Sequence, residues 1–173
     1  LGLRHVLPER DARRVVSIIG DSTFVHTGIN GLVEMIYNPP ATGHVLIVLD
    51  NGTTAMTGQQ EHPGTGRTLD HEPTLKLSIE GLARALGVPN VDVIDPVTDP
   101  AGFERLLVER LGGGQLAVIV ARRPCILAAA ARIGVAAEAG AQGQRCAPCH
   151  SISCANGSSS TGAVCGSDRR QRH

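Results

Sequence analysis

Short continuous apolar runs alternate along this chain with stretches whose apolar residues recur every three or four positions. Val15-Val16-Ser17-Ile18-Ile19, bounded by Gly20, is the first run and has the pattern of a strand covered on both faces. After a polar turn, Ile29, Leu32, Val33 and Ile36 fall at i, i+3, i+4 and i+7 and predict one face of a helix that stops before Asn38-Pro39-Pro40. His44 to Leu49 (HVLIVL) is a second buried strand, parallel to the first because a helix intervenes. Ser78 as N-cap, then Ile79, Leu82, Ala83 and Leu86, then Gly87, mark a second helix. Val91 to Ile94 is a third strand, closed by an Asp95-Pro96 turn. Asp99-Pro100 caps a helix carrying Phe103, Leu106, Leu107 and Leu111 and ending at Gly112-Gly113-Gly114, and Leu116 to Val120 is the fourth strand. The order β-α-β-loop-α-β-α-β predicts an α/β fold, a parallel sheet flanked by helices.

The two polar segments between Val15 and Gly66 each follow the end of a strand, and in an open parallel sheet such ends share the edge where ligands bind. The first offers Gly20, Asp21, Ser22 and Thr23: a glycine, a carboxylate and two hydroxyls beside a helix N-terminus. The second offers Asp50, Asn51, Gly52, Thr53 and Thr54, again hard oxygen donors with a glycine. In outline this is a diphosphate and hard-cation site, in which Asp21 and Asn51, 30 positions apart, grip one Mg²⁺ from two sides. From Asp50 to about Asp70 the chain has almost no apolar residues and four glycines, the composition of a functional loop. Asp92, Asp95 and Asp99 sit at turn and cap positions, which account for them without a metal.

At 173 residues the chain supports one sizeable core plus a tail. Lys and Arg number 16, as do Asp and Glu, and only 2% of residues are aromatic, with no Trp. That balance gives no electrostatic case for nucleic acid or an anionic membrane. No apolar run reaches transmembrane length, and LGLRHVLPERDARR is too charged for a signal-peptide core, so a cytoplasmic location is expected. The chain begins with Leu and enters strand-like sequence within 15 residues, the expectation for a piece of a longer gene product. Residues 1–14 read as a linker or remnant, or a frayed helical piece, with His5 at the surface, residues 15–125 as a domain incomplete at its N-terminus, and residues 126–173 as an Ala/Gly/Ser-rich tail.

A Gly-Asp turn followed about 30 residues later by Asn after a buried strand resembles the thiamine diphosphate fingerprint. The fuller string GDSTF-x-HTGI-x-GL, then VLDN-x-TTAMTG-x-Q-x-HPGTG, resembles the catalytic subunit of the indolepyruvate ferredoxin oxidoreductases. The likeness is dense from Ile18 to Gly66 and looser to Cys125. It implies that Asp21, the Asn51 side chain and the Thr53 carbonyl bind Mg²⁺, with the diphosphate and water completing an octahedron. Gly20, Ser22, Thr23, Thr54, Met56 and Thr57 would lie along the cofactor, and His62-Pro63-Gly64 near the substrate opening. His26 reads as a capping or packing histidine, or, from its place in HTG, as a contact to cofactor or substrate; His26 and His62 are the candidate catalytic residues. Met56 reads equally as a plug for an irregular core gap.

The reaction implied is oxidative decarboxylation of a 2-oxoacid, an aryl pyruvate, with coenzyme A, giving an acyl-CoA, CO₂ and reduced ferredoxin. The glutamate that activates thiamine in such enzymes belongs to a pyrimidine-binding domain. None is identified here, so an upstream domain or second subunit is expected, and the chain alone is expected to be inactive. The tail places Cys146, Cys149, Cys154 and Cys165 at C-x₂-C-x₄-C-x₁₀-C, where the resembled enzymes carry a ferredoxin-like segment. Its spacing departs from C-x₂-C-x₂-C with a later Cys-Pro. Two readings stand: a [4Fe-4S] site, or an unpacked segment with at most adventitious Zn or Fe. Cys125 reads as a buried small hydrophobe. For the whole chain the alternatives are a non-catalytic remnant and a non-redox thiamine-dependent decarboxylase.

Overall fold

The computed structural model describes residues 2–127. The tail cysteines 146, 149, 154 and 165, and both readings of them, lie outside the described residues.

Four parallel strands form one sheet in the order β1-β2-β4-β3: β1 Val16–Gly20, β2 His44–Asp50, β3 Asn90–Ile94 and β4 Leu116–Arg122. The two central strands are seven-residue runs paired end to end, His44 with Leu116 through Asp50 with Arg122. Val, Ile and Leu fill them because both of their faces meet helices. One face packs Leu46, Val48, Val118 and Val120 against helix α4 (Ile29–Tyr37) and helix α5 (Ile79–Ala85). The other packs Val45, Ile47 and Ile119 against Phe103, Leu106, Leu107 and Leu111 of helix α6 (Pro100–Gly112). At about 1.5–3 kcal/mol for each large side chain fully removed from water, these two layers are the main source of stability.

The predicted caps are present. Ser78 accepts the N–H of Gly81 at 2.9 Å, Asp99 accepts that of Gly102 at 2.8 Å, and Gly87 ends α5 at φ +93°. Asp95 accepts the N–H groups of Val97 and Thr98 in its turn as expected, whereas Asp92 lies within β3, at neither a turn nor a cap, and pairs with Arg110 at 2.8 Å.

The N-terminal residues form short helices α1 (Gly2–Val6) and α2 (Glu9–Ala12), and His5 is exposed as expected. Three expectations change. The strand β1 is not covered on both faces: it lies at the edge of the sheet, and Ile18 is 63% exposed. Helix α4 buries Leu32 and Met35 while Val33 is left exposed. The apolar period admits either stripe, and packing on Leu46 and Val48 selects the one containing Met35. Cys125 is half-buried rather than buried.

Between β1 and α4 the chain is continuously helical, through α3 (Asp21–Thr23) and a π-helical turn (Phe24–Gly28). Gly28 lets this segment press on β1, since a Cβ there would come within 2.5 Å of Ile19 Cδ1. The π turn is one residue wider per turn than an α-helix and often marks a functional position.

Candidate functional site

Pairing of Gly20 with Leu49 puts the carboxyl ends of β1 and β2 side by side. Asp21 leaves one strand and Asp50-Asn51 the other, and the two segments meet. The Asp21 carboxylate, 2% exposed, is enclosed by backbone donors: Ser22 N–H to Oδ1 at 2.8 Å, and Asn51 and Gly52 N–H to Oδ2 at 3.1 and 2.9 Å. Gly52 takes φ +72°, a left-handed conformation that turns its N–H toward the carboxylate and that glycine adopts without strain. Asn51 Oδ1 accepts the Thr53 N–H at 3.0 Å, and Thr53 is 4% exposed. The Thr54 hydroxyl donates to the Ser22 hydroxyl oxygen at 2.8 Å, tying the two loops across 32 positions. Thr53 and Thr54 are held in turn by Gln60, whose carbonyl accepts the Thr54 N–H at 3.0 Å.

Other candidates differ in exposure. At Gly20 the backbone is extended and a Cβ would meet open space. Thr23 and Thr57 are exposed, and Met56 is fully exposed on a short 3₁₀ turn (Ala55–Thr57), so it plugs no core gap. His26 is exposed on the π turn. His62 is buried, its Nε2 3.5 Å from Asp21 Oδ2.

A second charged group stands beside the first. Asp50, 6% exposed, accepts Arg122 Nε at 2.7 Å, and the same guanidinium reaches Glu80 on α5 at 2.7 Å. The Arg122 contact holds the Glu80 carboxyl down at about 2, and the two acids raise Arg122 in return. Asn51 is anchored from the same side, its carbonyl accepting the Cys125 N–H at 3.0 Å. Sequence reading missed this network. Its signal was available in two seven-residue apolar runs ending in opposite charges, HVLIVLD and LAVIVAR.

Residues 1–121 match the family model of the thiamine pyrophosphate enzyme C-terminal TPP binding domain. The chain belongs to this family. Among relatives of the TPP binding domain, indolepyruvate oxidoreductase subunit IorA of Archaeoglobus fulgidus is 41% identical over 126 residues, 73% of this chain and 19% of the relative. The subunits of the same name from Pyrococcus abyssi and Methanothermobacter marburgensis are 42% and 40% identical, over 74% and 67% of this chain. The chain thus spans about a fifth of the length of the curated relatives it matches. No solved structure matches.

The donor set of this TPP binding domain fits the cofactor and a hard cation. Among the described residues no three His, Cys, Asp or Glu side chains converge into an all-protein metal cage. One buried carboxylate, one amide oxygen and a buried loop backbone instead suit Mg²⁺, which takes few protein ligands and shares its shell with phosphate oxygens and water. A hollow of about 230 Å³ at the opposite sheet edge, lined by Met35, Pro40, Gly43 and Leu116 among others, holds no titratable side chain and has none of this chemistry. No helix among the described residues is long and apolar enough to cross a membrane.

Proposed function

We propose that this chain supplies the diphosphate and Mg²⁺ side of a thiamine diphosphate site in a cytoplasmic 2-oxoacid oxidoreductase. Its substrate class is an aryl pyruvate such as indolepyruvate, its product an acyl-CoA, and its electron acceptor ferredoxin. The observation that carries the reading is the meeting of two adjacent strand ends, where the buried Asp21 carboxylate accepts the Asn51 and Gly52 N–H groups. The names of the IorA relatives supply the substrate class.

In this reading Asp21, Asn51 Oδ1 and the Thr53 carbonyl hold Mg²⁺. Gly20, Ser22, Thr23, Thr54, Met56 and Thr57 lie along the cofactor, and His26 meets cofactor or substrate from the π turn. When bound, thiamine diphosphate supplies a carbon nucleophile for the keto group and an electron sink for decarboxylation. This chain's residues bind and orient. The open space over Gly20 admits a phosphate to the backbone, and the Ser22–Thr54 hydroxyl pair fixes the gap between the loops. An upstream domain or second subunit completes the site.

Isothermal titration of thiamine diphosphate into the folded chain, with and without Mg²⁺ and alongside Asp21→Ala, tests the proposal. Mg²⁺-dependent binding that the substitution abolishes is the expected result. Folded wild-type chain that binds no cofactor in the presence of Mg²⁺ overturns it.

A further inference from the structure

The loop carrying His62 is pinned at several points. Thr65 donates to the His62 carbonyl through both N–H and Oγ1 at 2.9 Å, and Leu77 N–H donates to the Pro63 carbonyl at 2.9 Å. Gly64 N–H donates to His62 Nδ1 at 3.1 Å, and a Cβ on Gly64 would stand only 3.0–3.2 Å from the ring. A nitrogen that accepts a backbone N–H carries no proton, so the neutral ring bears its proton on Nε2. That N–H is buried, has no hydrogen-bond partner among the described residues, and faces Asp21 Oδ2 at 3.5 Å.

We infer that His62 is a positioning residue for Asp21: its Nε2–H, aimed by Gly64, joins the Asn51 and Gly52 N–H groups in anchoring Oδ2. Oδ1, which accepts only the Ser22 N–H, is then the oxygen left to bind a cation. Outer-shell donors of this kind fix the orientation of a ligating carboxylate, and their loss costs about 10–100-fold in metal affinity. The inference rests on the proposed Mg²⁺ and thiamine diphosphate site for the identity of the ion. It replaces a substrate contact by His62 with a contact to the chain's own carboxylate.

Two variants separate the ring's two nitrogens. His62→Asn offers an oxygen to the Gly64 N–H where Nδ1 lies, with nothing reaching Asp21. His62→Gln extends an amide N–H to the place of Nε2. Mg²⁺ is titrated against a fixed concentration of thiamine diphosphate in the full chain, with circular dichroism confirming the fold. Expected is a rise of about 10–100-fold in the Mg²⁺ needed for half-maximal binding in His62→Asn, with most of it recovered in His62→Gln. Long-range ¹H–¹⁵N correlation spectra of wild type, which need no cofactor, are expected to show the Nε2-protonated tautomer. An Nδ1-protonated ring, or His62→Asn with the wild-type Mg²⁺ requirement, overturns the role of His62 while the site itself stands. Wild type that shows no Mg²⁺-dependent binding overturns the site and this inference together.

Discussion

Asp21 and Asp50 are both buried aspartates at the carboxyl edge of neighbouring strands, yet their charges are met in opposite ways. Asp50 has a guanidinium 2.7 Å away, and Arg122 spans from it to Glu80, so three elements are clamped by one cation. Asp21 has only dipoles: three backbone N–H groups and an imidazole with no resolved hydrogen bond. A buried carboxylate without a cationic partner is costly unless a charge arrives to offset it. The difference separates a carboxylate held by one of the fold's own cations from one held by dipoles alone, and it is the second that the proposed Mg²⁺ site draws on.

The sharpest break of this comparison is Asp21→Ala. It is expected to weaken Mg²⁺-dependent thiamine diphosphate binding by at least the roughly 100-fold that loss of an outer-shell partner reaches, read by calorimetry. Arg122→Leu attacks the other aspartate. It strands Asp50 and Glu80 without their cation, and denaturant unfolding should show a loss of about 3 kcal/mol, the lower end for a broken buried pair because Arg122 is partly exposed.

Acidification adds a third buried group at the opposite end of β2. His44 is 1% exposed, and burial, then the nearby Arg4, push its imidazole down to about 4 from 6.5. Its folded-state pKa lies below the unfolded value, so the unfolded chain takes the proton first as pH falls. Stability present above pH 6.5 should be lost between there and about pH 4, by up to about 2–3 kcal/mol, in thermal melts across that range. Glu80 has the same sign: its contribution is present above 4.5 and fades as pH falls toward about 2, a second step that Arg122→Leu should remove. The smallest effect is at the helix that carries Glu80. Ser78→Ala removes the N-cap of α5 and should cost about 1 kcal/mol in the same melts.

Much of this architecture is legible one element at a time. Apolar runs of strand length, Ser78 and Asp99 at caps, and glycine after helix ends are local signals, and each element formed where those signals stand. Asp21 and Asn51 could be paired in advance because both follow a strand end, and parallel strands bring such ends together. The misses are of another kind. The stripe of α4 slipped because Met35 and Val33 satisfy the helical period about equally, and only the opposing strand chooses between them. The contact of His62 with Asp21 was not foreseen because the loop folds back across 41 positions, a path that no local pattern encodes. Arg122 reaches Asp50 through strand register, which exists only once the sheet is assembled.

The π turn at Phe24–Gly28 sits between two demands on one continuous helical segment. At its start Asp21 must face the loop that follows β2, and further along Leu32 and Met35 must face the core. An α-helix advances about 100° per residue, so the surplus residue of a π turn resets the phase between the two ends by about that angle. The turn acts as a gear between the chemistry and the core. A one-residue deletion there could leave every strand, cap and buried leucine in place and still turn the carboxylate away from its loop.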